Sequence, residues 1–159
     1  MNFRKTGITI CICTLFSSIS YADNKVPYPE NYRNWSHVKT MIIEPGHPLA
    51  DPFQGIHHVY GNKKAIKGLT EGVYLDGAVL VFDLLNYQNK DMTITEGDRK
   101  LLGIMHKDSK KYAKTGGWGF EGFAENSQTK RLTNDGGTSC FSCHAPQEKD
   151  DYVFTKPRN

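Results

Sequence analysis

The chain has 159 residues, a length that fits one domain, and 38% of them are hydrophobic. Its formal net charge of +3 falls to about +1 when residues 1–22 are set aside, because lysine plus arginine drops from 20 to 18 while aspartate plus glutamate stays at 17. A nearly neutral chain without a basic stripe argues against a nucleic-acid-binding protein.

The N-terminus has the layout of a secretory signal peptide. A basic start, "MNFRK", precedes the apolar run "TGITICICTLFSSIS", and Ser20 and Ala22 occupy the small-residue positions of a cleavage site. The run is too short to span a bilayer comfortably, which disfavours a membrane anchor. We therefore expect residues 1–22 to be removed after Ala22 and the protein to be periplasmic. Cys11 and Cys13 leave with the signal peptide.

Residues 23–159 are expected to form a single domain that begins with short elements. A short helix is predicted around Glu30–Trp35, after two prolines. Strands are predicted in "HVKTMIIEP" and in "GIHHVYGN", each followed by turn residues. A short helix is predicted in "KKAIKGLTEG", with Gly72 as its end.

The second half of the domain contains the most apolar strand. Ala78–Leu85 is apolar on both faces, which predicts a central strand covered on two sides. The polar segment "NYQNKDMTITEGDR" predicts a long connection, "KLLGIMHKD" another strand and "GGWGFEGFA" a glycine-rich strand with large rings. "DYVFTK" is a candidate closing segment. These elements predict an α+β fold, a mainly antiparallel sheet with a few flanking helices.

One short motif carries the chemistry. Cys140-Phe141-Ser142-Cys143-His144 is a C-x-x-C-H sequence, the attachment pattern of c-type haem. Each thiol adds to one vinyl group of the porphyrin, and the imidazole of the adjacent histidine binds the iron. Such attachment occurs outside the cytoplasm, in agreement with the predicted export. The motif therefore predicts one covalent haem c, held by Cys140 and Cys143, with His144 as the proximal iron ligand.

Three other uses of the two cysteines fit less well. A disulfide would close over only two residues and would restrain little of the unfolded chain. A redox dithiol of the thioredoxin type would lie early in a βαβ pattern, which the sequence lacks. A zinc site would need a second ligand pair, and His57 and His58 lie too far upstream for finger spacing.

The ligand on the other side of the iron decides the class of haem protein. A methionine or histidine there makes an electron carrier, whereas an open position makes a site for small molecules. His57 and His58 are neighbours on a predicted strand and point to opposite faces, so at most one of them can face the haem. No residue stands out among the candidates, which are His37, His47, His57, His58, His106, Met41, Met92 and Met105.

From about Asn31 to Thr155 the chain resembles the cytochrome P-460 family. The resemblance is carried by "NWSHVKTMIIEPGHPLADPFQGIHHVY", "DGAVLVFDLLN", "KDSKKYAKTGGWGFEGF" and "CFSCHAPQEKDDYVFT", in that order. It implies a mostly antiparallel sheet, one c-type haem per chain, a five-coordinate iron with a proximal histidine, and a homodimer.

The family has two branches with different chemistry. Hydroxylamine-oxidising members carry a lysine joined to the porphyrin and a distal carboxylate that handles protons. Members of the cytochrome c′-beta branch lack the cross-link and have an apolar distal face capped by phenylalanines. That face suits nitric oxide, carbon monoxide and other uncharged gases.

This sequence is more similar to the cytochrome c′-beta branch. The cross-linking lysine is expected just before "GVYLDG", where Leu69 and Thr70 stand. The nearest lysines, further back, are Lys63, Lys64 and Lys67. The strand "KLLGIMHK" has no carboxylate, and Phe53 and Phe82 match the capping rings.

The resemblance thus implies a periplasmic gas-binding cytochrome. The alternatives are a hydroxylamine-oxidising enzyme with a lysine–haem cross-link and a six-coordinate carrier for electron transfer. A partner cytochrome is expected if the haem exchanges electrons.

Overall fold

The structure is a computed structural model that describes residues 25–158. The predicted signal peptide, with its cleavage site after Ala22, lies outside the described residues. Within residues 25–158, no helix is both long enough and apolar enough to cross a membrane.

A five-stranded sheet forms the framework, and its strands lie side by side in chain order. Each strand pairs antiparallel with the next. The strands are β1 (Ser36–Ile43), β2 (Gly55–Gly61), β3 (Val79–Lys90), β4 (Thr93–Lys107) and β5 (Trp118–Ala124). This arrangement confirms the predicted antiparallel sheet, with β3 as its central strand.

Three short helices flank the sheet, as the α+β prediction requires. They are α1 (Ala50–Phe53), α2 (Lys63–Glu71) and α3 (Thr138–His144). The side chain of Asn62 accepts a hydrogen bond from the Ala65 amide and caps the start of α2. The helix ends at Gly72, whose φ of 76° is left-handed, so the predicted stop is confirmed. Near the N-terminus, the predicted helix is a short 3₁₀ turn, Tyr32–Asn34.

The prediction of a long connection after the central strand is wrong. β3 and β4 instead continue as a paired ribbon to a tight turn at Asp91 and Met92, both with left-handed backbone. Two successive left-handed residues suit the two-residue turn of a β-hairpin. The ribbon is largely exposed on both sides, so its residues lack the apolar alternation that identifies a strand from sequence.

Each face of the sheet covers its own hydrophobic core. One face, which we call the α3 face, carries Leu80, Trp118 and Phe120, and buried residues of α2 pack against them. The opposite face carries Val81 and Phe123 and is covered by the N-terminal segment. Two covered faces explain why β3 is apolar on both sides. The predicted closing segment has no regular structure.

Candidate functional site

Helix α3 packs against the edge strand β5, and the rings of Phe141 and His144 contact Phe120 of that strand. The helix follows Gly137, whose φ is 86°. A Cβ at this position would lie 2.6 Å from the Phe120 carbonyl oxygen, so only glycine allows so close an approach. The Asp135 carboxylate accepts hydrogen bonds from the amides of Gly137 and Ser139, each at 2.9 Å. The start of the helix is therefore fixed relative to the sheet.

The two cysteines of the motif are free thiols in different surroundings. Cys140 is partly buried and packs against the core of the α3 face, whereas Cys143 is exposed. Burial raises the pKa of the Cys140 thiol. Reactive cysteines of redox dithiols have lowered pKa values, so this environment favours the thiol form.

His144 lies in an aromatic setting that leaves one ring nitrogen available. Its ring centroid lies 4.9 Å from that of Phe120 and 5.0 Å from that of Phe154. Its Nδ1 lies 2.8 Å from the Tyr152 carbonyl oxygen, which can only accept, so Nδ1 carries the proton. Burial lowers the pKa of His144, which favours the neutral ring. A neutral imidazole whose Nε2 lone pair is free has the form required of an iron ligand.

Three residues fix the carbonyl group that orients His144. Lys107 Nζ lies 2.6 Å from the Asp151 carboxylate, and Trp118 Nε1 donates to the Asp151 carbonyl oxygen at 2.9 Å. Asp151 is the residue before Tyr152, so these bonds help to keep the Tyr152 carbonyl oxygen within hydrogen-bonding distance of His144 Nδ1. Lys107 and Asp151 lie 44 positions apart and no motif connects them, so their contact could not be predicted from the sequence.

Phe53 and Phe82, predicted to cap the haem, form a close pair. Their ring centroids lie 6.0 Å apart and the rings are perpendicular, in an edge-to-face arrangement. Phe82 packs against the same core as Cys140. In the same row of the sheet, Gly103 pairs with Phe82 and Gly122 pairs with Gly103. A Cβ at Gly103 would lie 3.5 Å from the Phe82 side chain, so the lack of a side chain at Gly103 lets Phe82 lie close against the sheet.

His57 borders this aromatic pair from β2. Its ring centroid lies 4.4 Å from that of Phe82, and only 3% of the residue is exposed. Both of its ring nitrogens are buried without a hydrogen-bond partner among residues 25–158. Burial lowers the pKa of His57 to about 4. The sequence analysis could place His57 on one face of a strand but could not identify that face.

The other candidates for a sixth iron ligand are spread over the fold. His58 points away from His57, as predicted, and contacts Thr40 and Glu96. His106 packs near Tyr112 on the opposite face. Met92 is fully exposed at the turn of the β3–β4 ribbon. Met105 is a further candidate on the same side of the sheet as His57, where it packs against the core of the α3 face.

Two of the lysines nearest to the expected cross-linking position contact other groups. Lys64 donates to the Asp76 carbonyl oxygen at 2.7 Å, and the exposed Lys67 pairs with Glu71. The part of β4 that pairs with β5 presents four residues on the α3 face, and none is a carboxylate. They are Leu101, Gly103, Met105 and Lys107.

Two buried carboxylates belong to the opposite face. Asp83 accepts hydrogen bonds from Tyr32, Arg33 and Arg99, and Glu121 pairs with Arg131. Both carboxylates pair with arginines on the opposite face of the sheet. Neither of them faces the aromatic pair.

Comparison with known proteins gives one family. The sequence profile of Cytochrome P460 matches residues 29–155, which is most of the chain and includes α3 with its motif. No curated protein matches the chain significantly.

Proposed function

This chain belongs to the Cytochrome P460 family and is therefore a haem protein, and we propose that it binds nitric oxide and similar uncharged gases at one covalent c-type haem. In this proposal Cys140 and Cys143 would hold the haem through two thioether bonds, and His144 would bind its iron. The haem, when bound, supplies an iron with one open coordination position. The remaining contributions come from the side chains around it.

The proximal contacts support this role for His144. The hydrogen bond from Nδ1 to the Tyr152 carbonyl oxygen fixes both the tautomer and the ring plane, so that Nε2 is the nitrogen available to a metal. Cys140 and Cys143 lie on the same short helix, which allows the thiols and the imidazole to engage a single porphyrin.

The observation that carries the gas-binding proposal is the edge-to-face pair of Phe53 and Phe82. Two aromatic rings provide apolar surface and no strong hydrogen-bond donor, so they disfavour water and charged ligands. Nitric oxide and carbon monoxide need little hydrogen bonding to stay bound. The absence of a carboxylate on the α3 face of the paired part of β4 supports gas binding over proton-coupled oxidation of hydroxylamine.

We extend the proposal to the protein's setting. The signal-peptide pattern of residues 1–22 and the requirement for haem attachment outside the cytoplasm support a periplasmic location. The family resemblance supports a homodimer and a cytochrome as redox partner. Cell fractionation tests the location, and sedimentation of the holoprotein tests the homodimer.

The experiment that tests the function adds nitric oxide or hydroxylamine to purified holoprotein. We expect reduced protein to bind nitric oxide at one site per chain, and oxidised protein to remain oxidised in hydroxylamine. Reduction of the haem by hydroxylamine over repeated turnovers would instead favour the enzymatic alternative.

A further inference from the structure

His57 has a feature that the proposed function does not use. It is a buried polar side chain, and neither ring nitrogen has a hydrogen-bond partner among the described residues. Folded proteins rarely leave a buried polar group unpaired, because the group loses its hydrogen bonds to water without replacement. The missing partner of such a group is commonly a water molecule or a ligand.

The position of His57 indicates what that partner is. The imidazole contacts Phe82, and Phe82 contacts Phe53, so the ring borders the aromatic pair of the α3 face. On the same face, Phe82 and Cys140 pack against one hydrophobic core. His57 is thus placed on the side of the sheet that carries the haem-attachment motif.

We infer that His57 donates a hydrogen bond to a small ligand that binds beside the aromatic pair of Phe53 and Phe82. This inference rests on the proposed function and specifies its ligand class. The preferred ligand is a diatomic with an acceptor atom that gains negative charge on binding, such as nitric oxide or dioxygen, rather than carbon monoxide. The pocket then differs from the wholly apolar one implied by the family resemblance.

The chemistry of the imidazole agrees with a donor role. Burial holds the pKa of His57 near 4, so the ring is neutral near pH 7 and has one N–H donor. A neutral donor can orient a polar ligand without attracting anions. In an apolar pocket, a single hydrogen bond discriminates strongly between ligands that accept it and ligands that do not.

The other histidines have different surroundings. His144 bonds to the Tyr152 carbonyl oxygen, and His58 lies between Thr40 and Glu96. His106 also has a buried Nδ1 without a hydrogen-bond partner in the described part of the chain, but it lies near Tyr112 on the opposite face of the sheet. His106 is therefore a matched control, a buried histidine on the wrong side of the sheet.

The test uses holoprotein carrying His57→Leu, His57→Gln or, as a control, His106→Leu. Infrared spectra of the nitric oxide and carbon monoxide complexes are recorded in light and heavy water. We expect His57→Leu to raise both stretching frequencies and to abolish the heavy-water shift, while His57→Gln retains part of that shift. Nitric oxide should leave His57→Leu about fivefold faster, the factor that one net hydrogen bond contributes. His106→Leu should match the wild type.

A second measurement requires no variant, in case the leucine substitution prevents folding. Nitrogen NMR of the wild-type holoprotein reports the ring N–H of His57 with and without nitric oxide or carbon monoxide. A shift of that signal, larger for nitric oxide, supports the inference. Unchanged ring signals, or stretching frequencies in His57→Leu equal to those of the wild type, overturn it.

The two proposals fail in different ways. Protein that contains no haem, or in which side chains fill both axial positions, contradicts the proposed function. A five-coordinate haem that binds both gases, with no effect of His57 on either complex, contradicts only the assignment of His57.

Discussion

The Nδ1 nitrogen of His144 lies 2.8 Å from the carbonyl oxygen of Tyr152, eight positions along the chain. This bond joins the end of α3 to the closing segment, and the closing segment is joined to the sheet through Asp151. The orientation of the His144 imidazole therefore depends on contacts well outside the C-x-x-C-H motif.

Asp151→Asn should loosen the segment that orients His144. The side chains of Lys107 and Asp151 are 10% and 19% exposed, and removing one charge leaves the other without its buried partner. We expect the free energy of unfolding in urea to fall by about 2–3 kcal/mol. The iron–histidine stretching frequency in resonance Raman spectra of the reduced holoprotein should also change.

The neighbouring pair of Lys156 and Asp150 provides the control for Asp151→Asn. This ion pair is more exposed, so Asp150→Asn should have a much smaller effect on unfolding. Equal effects of the two substitutions would show that the Lys107 contact does not stabilise the closing segment.

Gly137→Ala should disturb the approach of α3 to β5. The added methyl would meet the Phe120 carbonyl oxygen at 2.6 Å, in addition to the strain of a left-handed φ. Gly136 also has a positive φ, but a Cβ there would meet nothing within 4 Å. Gly136→Ala should therefore cost about 1 kcal/mol in urea unfolding, from backbone strain alone. Gly137→Ala should cost more and should lower the yield of attached haem; equal costs would contradict the close approach.

Phe82→Ala should open the aromatic pair and speed the entry of gas ligands. Flash photolysis of the carbon monoxide complex measures the association rate directly. Val81→Ala is the control, because Val81 is fully buried on the same strand but belongs to the core of the opposite face. Both substitutions should lower stability, by about 1–4 kcal/mol. Only Phe82→Ala should change the association rate, and an unchanged rate would remove Phe82 from the ligand's path.

The buried His57 should make the protein less stable in acid. The pKa of His57 is about 4 in the folded chain and 6.5 in the reference state. Between these values the unfolded chain binds more protons, so stability falls as the pH falls from 6.5 to 4 and changes little further below 4. The loss should be about 2–3 kcal/mol, measured by urea unfolding at several pH values.

Replacing His57 isolates its share of this acid sensitivity. His57→Gln should flatten the dependence on pH. His47→Gln, which alters an exposed histidine, should leave that dependence unchanged. If the free energy of unfolding of His57→Gln depends on pH as steeply as that of the wild type, other groups cause the loss of stability in acid.

Features carried by continuous segments could be predicted from sequence. The five strands, α2 with its stop at Gly72 and the haem motif each depend on residues close together in the chain. Phe53 and Phe82 were matched to capping rings only through the family resemblance, because the two residues lie 29 positions apart and no periodicity connects them.

Features that depend on tertiary packing could not be predicted. The exposed β3–β4 ribbon has polar residues on both sides and therefore resembles a loop in sequence. The contact of Lys107 with Asp151 joins a strand to the closing segment. The burial of His57 depends on which face of β2 lies on the side of α3. The alternation of side chains along a strand shows that His57 and His58 lie on opposite faces, but not which face is buried.

The most direct test of the central claim is the absorption spectrum of purified, reduced holoprotein, recorded with and without nitric oxide. We predict an ordinary high-spin c-type spectrum that changes when nitric oxide is added, and no covalently attached haem when Cys140 and Cys143 are both replaced by alanine. A strongly red-shifted Soret band would indicate the lysine cross-link of the hydroxylamine-oxidising branch. A colourless protein would contradict the account, and so would a low-spin spectrum that does not change when nitric oxide is added.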